Sequence, residues 1–154
     1  MQPHTYAVTS REAPSPSGPY SQAVAVGPLV FLAGQRPVDP VTGAVPSDLT
    51  AQIEQALNNV REVLRTVGAD LSNVVKLTVY LADIADFKCV NQVFRLRFSE
   101  PYPARTTVGV QLRDVLVELD AVAVVSDGGW QSSAHPHEAL STPVLGVDIQ
   151  SAGV

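Results

Sequence analysis

An apolar repeat between residues 49 and 67 most limits how this chain of 154 residues can fold. Apolar residues recur there at spacings of three and four, which places them on one face of an α-helix. They are Leu49, Ile53, Leu57, Val60, Leu64 and Val67. Ser47 or Asp48 can cap the start of the helix, and Gly68 is well placed to end it. The segment is therefore predicted to be an amphipathic helix.

Short apolar or β-branched runs on both sides of this helix are predicted strands. They cover residues 5–8, 22–26, 29–33, 74–82, 105–112 and 115–125, and a second helix is predicted over residues 84–98. This order predicts an α+β fold, a mixed sheet with two helices packed on one face. The other face of the sheet then has no cover, and association into a closed homo-oligomer is the common way to bury such a face.

Composition and the change in pattern near residue 125 predict one domain and a tail. Hydrophobic residues make up 45% of the chain and charged residues 16%, which is typical of a globular domain. Residues 1–125 contain all the predicted elements, whereas residues 126–154 are predicted to be a mostly irregular tail. Trp130 is expected to anchor this tail, and the His135 and His137 pair lacks the neighbouring ligands that a metal site needs.

Charge and cysteine usage exclude several classes of protein. The net charge is -5 and the isoelectric point about 5.0, which argues against a broad nucleic-acid surface. One cysteine, Cys89, excludes an internal disulfide and fits a reducing compartment, and its helical position favours a small packed side chain. No apolar run is long enough to cross a bilayer and no signal peptide is visible, so a cytoplasmic protein without a membrane partner is expected.

Two of the predicted strands carry a charge that an apolar strand does not usually tolerate. Arg105 and Glu118 lie on the last two strands, which are expected to be neighbours. A guanidinium can bind a carboxylate through two parallel hydrogen bonds, and a partly buried glutamate can transfer protons near neutral pH. The pair therefore indicates a pocket for an anion, while a structural ion pair between the two strands is the alternative. Asp120 shares the strand face of Glu118 and is an alternative proton shuttle.

Several segments together resemble one protein family. They are Gly18-Pro19-Tyr20-Ser21-Gln22, residues 30–43, residues 55–60, residues 74–81, Val90-Asn91, Tyr102-Pro103-Ala104-Arg105 and residues 117–123. In this order they are similar to the RidA family of reactive-intermediate deaminases, also called the YjgF/YER057c/UK114 family. The resemblance extends over residues 5–125 and does not include the tail.

This resemblance implies a chorismate-mutase-like fold, a homotrimer with sites between subunits, and hydrolysis of amino-acid-derived enamines and imines such as 2-aminoacrylate. It implies no metal and no organic cofactor. The implied catalytic residues are Arg105, which would hold the substrate carboxylate, and Glu118, which would position water. The implied substrate-binding residues are Tyr20, Ala33, Gly34, Asn91, Arg105 and Thr107.

The chain also departs from the family pattern at three positions. Ala33 stands where many members have serine, Thr107 where many have cysteine, and Arg36 where an aliphatic residue is usual. These changes leave three functions open. The first is hydrolysis of small imines, the second is action on a larger imine or enamine in a biosynthetic pathway, and the third is a trimer that binds small carboxylates without turnover.

Overall fold

The computed structural model of the protein describes residues 4–125, so the predicted tail lies outside the described residues, as do Trp130, His135 and His137. Six strands and two α-helices occur within the described range. They are β1 (Thr5–Val8), β2 (Ala23–Val26), β3 (Leu29–Gln35), α1 (Leu49–Arg65), β4 (Val74–Leu81), α2 (Phe87–Arg97), β5 (Ala104–Gly109) and β6 (Val117–Val124). Every strand and helix predicted between residues 5 and 125 is therefore confirmed.

Several element ends differ from the prediction, including that of β3, which continues to Gln35. The second helix was predicted from residue 84, but residues Ile84–Asp86 form a 3₁₀ turn and α2 starts at Phe87. The Asp83 side chain causes this turn by accepting a hydrogen bond of 2.9 Å from the N–H of Ala85. The last two strands are also shorter than predicted, and Asp114 in the loop between them has a φ of 60°, outside the extended region.

Helix α1 forms as the apolar repeat predicts. Its cap is Asp48 rather than Ser47, since Asp48 Oδ1 accepts a hydrogen bond of 2.9 Å from Ala51 N. Ile53, Leu57 and Leu64 are fully buried on its inner face, and burial of each such side chain stabilises the fold by roughly 2 kcal/mol. Gly68 follows with a φ of 71°, the left-handed conformation that ends many helices.

The strands form one mixed sheet in the order β1-β2-β3-β6-β4-β5. Strands β4 and β5 are parallel, because α2 carries the chain back across the sheet between them, and the other pairs are antiparallel. Both helices cover one face and enclose the core with its buried side chains. The sheet contributes Val30, Leu32, Leu77, Val79, Val117, Leu119 and Ala121 to this core. The predicted α+β architecture with two helices on one face is therefore confirmed.

The opposite face of the sheet is apolar near its middle and is not covered by any element within residues 4–125. Val24 pairs with Phe31 and Phe31 pairs with Val122, so the three side chains form a row across β2, β3 and β6 on this face. Phe31 is 44% exposed. This open face is the surface that the sequence predicted would lack a cover.

Candidate functional site

Arg105 lies on β5, the edge strand of the sheet, on the face that the helices cover. It pairs with Leu77, a core residue, so both side chains point toward the helices. Its Nη2 donates a hydrogen bond of 2.6 Å to Asn91 Oδ1, and its Cζ lies 5.2 Å from the centre of the Phe94 ring. Helix α2 thus supplies both the amide and the aromatic ring that orient the guanidinium. Desolvation by burial lowers the pKa of Arg105, but an arginine remains charged in proteins.

The Arg105 guanidinium opens into a cleft of about 360 Å³. The cleft is lined by Asn91, Phe94, Arg95, Tyr102, Pro103 and Arg105. Two of these side chains are cationic and none is acidic, so the cleft has the electrostatic character of an anion site. The sequence predicted Arg105 and Asn91 for the site but did not single out Phe94, Arg95 or Tyr102. The spacing of Asn91 and Arg95, one helical turn apart, was a signal that could have identified Arg95.

Thr107 lies two residues after Arg105 on the same side of β5, since it pairs with the core residue Val79. Its Oγ1 is buried and has no hydrogen-bond partner among residues 4–125. A buried hydroxyl without a partner is costly, and a bound molecule can satisfy it. The structure therefore groups Arg105, Asn91 and Thr107 on one side of the sheet, as half of the predicted site.

Glu118 belongs to a second group, on the open face of the sheet. It pairs with Tyr80, whose position in β4 is three residues from Leu77 and thus on the opposite face. The Glu118 carboxylate lies over Gly34 of β3, where a Cβ would overlap its Oε1 and lie 3.0 Å from its Cδ. Gly34 is thus needed to give this carboxylate room.

Glu118 and Asp120 differ in their hydrogen bonding. The Tyr80 hydroxyl donates a hydrogen bond of 2.7 Å to Asp120 Oδ2, so the Asp120 carboxylate already has a hydrogen-bond partner. Glu118 accepts no hydrogen bond from any residue in the described range. A carboxylate with free lone pairs can bind water or substrate, so the geometry favours Glu118 over Asp120 as the proton-transfer group.

Tyr20 lies in the loop before β2, and its side chain is 50% exposed. Two hydrogen bonds with Ser17 lower the pKa of Tyr20. The larger effect comes from the Ser17 hydroxyl and the smaller from the Ser17 backbone N–H. Burial and the charge of Glu118 act in the opposite sense, and the charge of Arg36 lowers the pKa further. Tyr20 is therefore within electrostatic range of both Glu118 and Arg36.

Buried amide side chains hold the loops of this second group. Gln22 Oε1 accepts a hydrogen bond of 2.6 Å from Ser10 N, and Gln22 Nε2 donates one of 2.8 Å to the carbonyl of Pro14. Asn59 Nδ2 donates a hydrogen bond of 2.8 Å to the carbonyl of Arg36. These contacts fix the segment that leads to Tyr20 and the segment that follows β3.

Ala33 and Arg36 lie near this group but do not hydrogen-bond the Glu118 carboxylate. Ala33 is half-buried at an irregularity of β3, and its N–H donates a hydrogen bond of 2.9 Å to the carbonyl of Gln22. Arg36 Nη2 donates a hydrogen bond of 2.7 Å to the carbonyl of Arg113, which ties the end of β3 to the loop before β6.

The expectation that Arg105 and Glu118 lie on neighbouring strands is wrong. Strand β4 separates β5 from β6, and the two side chains leave opposite faces of the sheet. The alternative of an ion pair between them is also excluded within one chain. The ion pairs formed in the described range are Arg61 with Glu62, Arg65 with Glu62, and Arg97 with Glu54.

Other candidate features have structural explanations. Cys89 packs against the core, with its Sγ 3.3 Å from Thr50 Oγ1, as expected for a small side chain between the helices. Within residues 4–125 no group of three or more histidine, cysteine, aspartate and glutamate side chains is arranged to hold a metal ion. The helices found there are too short or too polar to cross a membrane.

Comparison with known proteins gives consistent matches over the folded part of the chain. The family model for endoribonuclease L-PSP matches residues 10–125. A RutC family protein of Pyrococcus abyssi is 44% identical over 119 residues, which cover 75% of this chain and 94% of that protein. The 2-iminobutanoate/2-iminopropanoate deaminase of Salmonella typhimurium is 40% identical over 122 residues, covering 76% of this chain and 95% of the relative.

A solved structure agrees with these matches. The crystal structure of RidA from the Antarctic bacterium Psychrobacter sp. PAMC 21119 superimposes with a TM-score of 0.75 at 38% identity, covering 78% of this chain and 99% of that one. The predicted family resemblance is therefore confirmed. The chain belongs to the endoribonuclease L-PSP family, which is the RidA (YjgF/YER057c/UK114) family that its motifs resemble.

Proposed function

We propose that the protein hydrolyses reactive imines and enamines of the 2-iminopropionate and 2-aminoacrylate type to a keto acid and ammonia. The observation that carries the proposal is the Arg105 guanidinium, which is oriented by Asn91 and Phe94 and faces a cleft without an acidic residue. A guanidinium held in this way binds a carboxylate with defined geometry. Relatives named 2-iminobutanoate/2-iminopropanoate deaminase, at about 40% identity, support this substrate class.

The proposed site is shared between two copies of the chain, in the homotrimer that the family resemblance implies. Arg105 and Glu118 are two strand spacings apart, about 10 Å, and Glu118 leans toward β3, away from β5. One substrate cannot contact both residues of a single copy, since the sheet lies between them. The uncovered apolar face around Phe31 supports association, because a second copy would bury it.

In the proposed reaction, Arg105 holds the substrate carboxylate beside the C=N bond, and Glu118 of a neighbouring copy orients a water molecule. The water oxygen bonds to the imine carbon, and its proton passes through Glu118 to the nitrogen. As the C–N bond breaks, the remaining hydroxyl proton passes to the nitrogen, ammonia leaves, and the carbon retains the oxygen as a keto group. An enamine first gains a proton at carbon to become the imine. Positioning the reacting groups is enough to accelerate a reaction of so unstable a substrate.

A larger imine or enamine is the second candidate, and the unpartnered Thr107 hydroxyl favours it. A substrate with an additional polar group that reaches this buried oxygen can satisfy it with a hydrogen bond. Ala33 and Arg36 replace the serine and the aliphatic residue that are usual in the family, and so change the size and charge of the group around Glu118. Both changes are consistent with such a substrate.

Hydrolysis of 2-iminopropionate, generated in situ from alanine by an amino-acid oxidase, tests the proposal. The protein competes with semicarbazide for the imine, so activity appears as a fall in semicarbazone formation. Arg105→Ala is expected to lower kcat/KM at least about 100-fold, the equivalent of roughly 3 kcal/mol. Arg105→Lys should recover little of this, because lysine lacks the bidentate geometry.

Arg65→Ala is the matched control, because Arg65 is an exposed arginine that contacts Glu62 and does not line the cleft. Its activity should equal that of the wild type. If the wild-type protein binds small carboxylates but turns over no imine, the protein is a non-catalytic carboxylate-binding member of the family. Equal activities of Arg105→Ala and wild type would remove Arg105 from the mechanism.

A further inference from the structure

We propose that the Arg105 cleft is built for imines with a second carboxylate and that Arg95 is the residue that binds it. The inference rests on the proposed function and specifies its substrate class as short imino-dicarboxylates. Arg95 is then a specificity-determining residue for the same reaction. The imine nitrogen leaves as ammonia, the water oxygen remains on the carbon, and the second carboxylate is unchanged.

The position of Arg95 on α2 supports this assignment. It follows Asn91 by four residues, so the two side chains lie on the same side of the helix, one turn apart. Asn91 holds the Arg105 guanidinium at 2.6 Å, and Phe94, the residue before Arg95, lies beneath that guanidinium. Arg95 and Arg105 consequently line one cleft of about 360 Å³, which is large enough for a short ligand but not for a macromolecule.

The charge balance of the cleft supports a ligand with two negative charges. Neither Arg95 nor Arg105 lies within 4.0 Å of a carboxylate in the described part of the chain. Arg97, two residues further along α2, shows the contrasting structural role, because it contacts Glu54 and donates a hydrogen bond of 3.1 Å to Asn58. Two guanidiniums in one cleft repel each other, and a dicarboxylate neutralises both.

The substrate has a defined direction in this arrangement. Arg105, with its fixed geometry, takes the carboxylate next to the imine carbon, since the proposed reaction requires that carboxylate to be held. Arg95, which is exposed and has a flexible side chain, takes the carboxylate at the far end of the substrate. A monocarboxylic imine contacts Arg105 alone and leaves Arg95 without a partner.

A comparison of two imines tests the inference. The substrates are 2-iminoglutarate, generated in situ from glutamate, and 2-iminopropionate, generated from alanine, each followed by competition with semicarbazide. The wild-type protein is expected to prefer 2-iminoglutarate by about tenfold in kcat/KM. Arg95→Gln should remove this preference by raising the KM for 2-iminoglutarate about tenfold more than it changes the KM for 2-iminopropionate. The control Arg65→Gln should change neither.

Failure of this inference is distinguishable from failure of the proposed function. Arg105-dependent hydrolysis of 2-iminopropionate with no preference for 2-iminoglutarate, or equal losses on both imines in Arg95→Gln, would overturn the role of Arg95 alone. If no imine is hydrolysed, the role of Arg95 is tested by measuring the binding of glutarate and butyrate by calorimetry. Tighter binding of glutarate that is lost in Arg95→Gln supports the two-arginine cleft, and equal binding of the two acids contradicts it.

Discussion

Arg105 and Glu118 extend from opposite faces of the same sheet, with β4 between their strands. Each belongs to its own group of polar residues. Arg105 contacts Asn91 beneath α2, whereas Glu118 lies over Gly34 on the open face. Neither group contains both an anion-binding residue and a free carboxylate. A site that uses both residues must therefore take one group from each of two copies of the chain.

Glu118 and Asp120 should differ clearly in their effect on catalysis. Glu118→Gln removes the carboxylate that accepts no hydrogen bond in the described range, and it is expected to lower kcat on 2-iminopropionate about 100-fold or more. Asp120→Asn changes a carboxylate already occupied by the Tyr80 hydroxyl and should cost no more than about fivefold. Steady-state kinetics of the two variants make the comparison. A greater loss in Asp120→Asn would transfer the proton role to Asp120.

Gly34→Ala should displace the Glu118 carboxylate without unfolding the protein. The added methyl group would overlap the end of a flexible side chain, which can rotate away at little cost to stability. We expect kcat to fall at least about tenfold and the melting temperature to change by no more than a few degrees.

Gly18→Ala is the control for this substitution, since a Cβ there meets its nearest neighbour, the Tyr20 ring, at an ordinary distance of 3.6 Å. Adding Gly34→Ala to Glu118→Gln should cause little further loss of activity, because Gly34→Ala acts by displacing the carboxylate that Glu118→Gln already removes. Additive losses in the double variant would show that Gly34 acts by another route.

The Tyr80–Asp120 hydrogen bond should make stability depend on pH in the alkaline range. This bond, together with burial, raises the pKa of Tyr80. A raised pKa in the folded state means that the stabilisation is complete below the ordinary tyrosine pKa of about 10 and is lost as the pH rises through the higher folded value. Tyr80→Phe is expected to lower the free energy of unfolding by about 1 kcal/mol at neutral pH.

Urea unfolding at pH values on either side of about 10 measures this dependence. The difference between wild type and Tyr80→Phe should shrink on the alkaline side. Tyr102→Phe, at an exposed tyrosine, serves as the control for general effects of tyrosine ionisation. A Tyr80→Phe difference that is the same at both pH values would show that the Asp120 hydrogen bond contributes nothing to stability.

Local pattern was sufficient to predict the elements of this fold. The spacing of Ile53, Leu57 and Leu64 determines α1, because one buried face is the main source of its stability. The alternation of Val117, Leu119 and Ala121 likewise determines which side of β6 faces the core. These signals are contained within short segments, so they can be read from one sequence.

The relation between the two charged residues could not be predicted in this way. The parallel connection through α2 places β5 at the sheet edge, so consecutive strands β5 and β6 are not neighbours. Which face each charge occupies depends on its register with β4, where Leu77 pairs with Arg105 and Tyr80 pairs with Glu118. Register is set by tertiary packing and by irregular pairings, not by the composition of either strand.

Complementation between two inactive variants tests the shared site most directly. Arg105→Ala and Glu118→Gln chains with different affinity tags are co-expressed, and oligomers that carry both tags are purified. In a trimer with sites between neighbouring copies, every mixed trimer contains one site with an intact Arg105 and an intact Glu118, so activity should return to about one third of the wild-type value per chain. Activity no higher than that of either variant alone would contradict a site shared between copies.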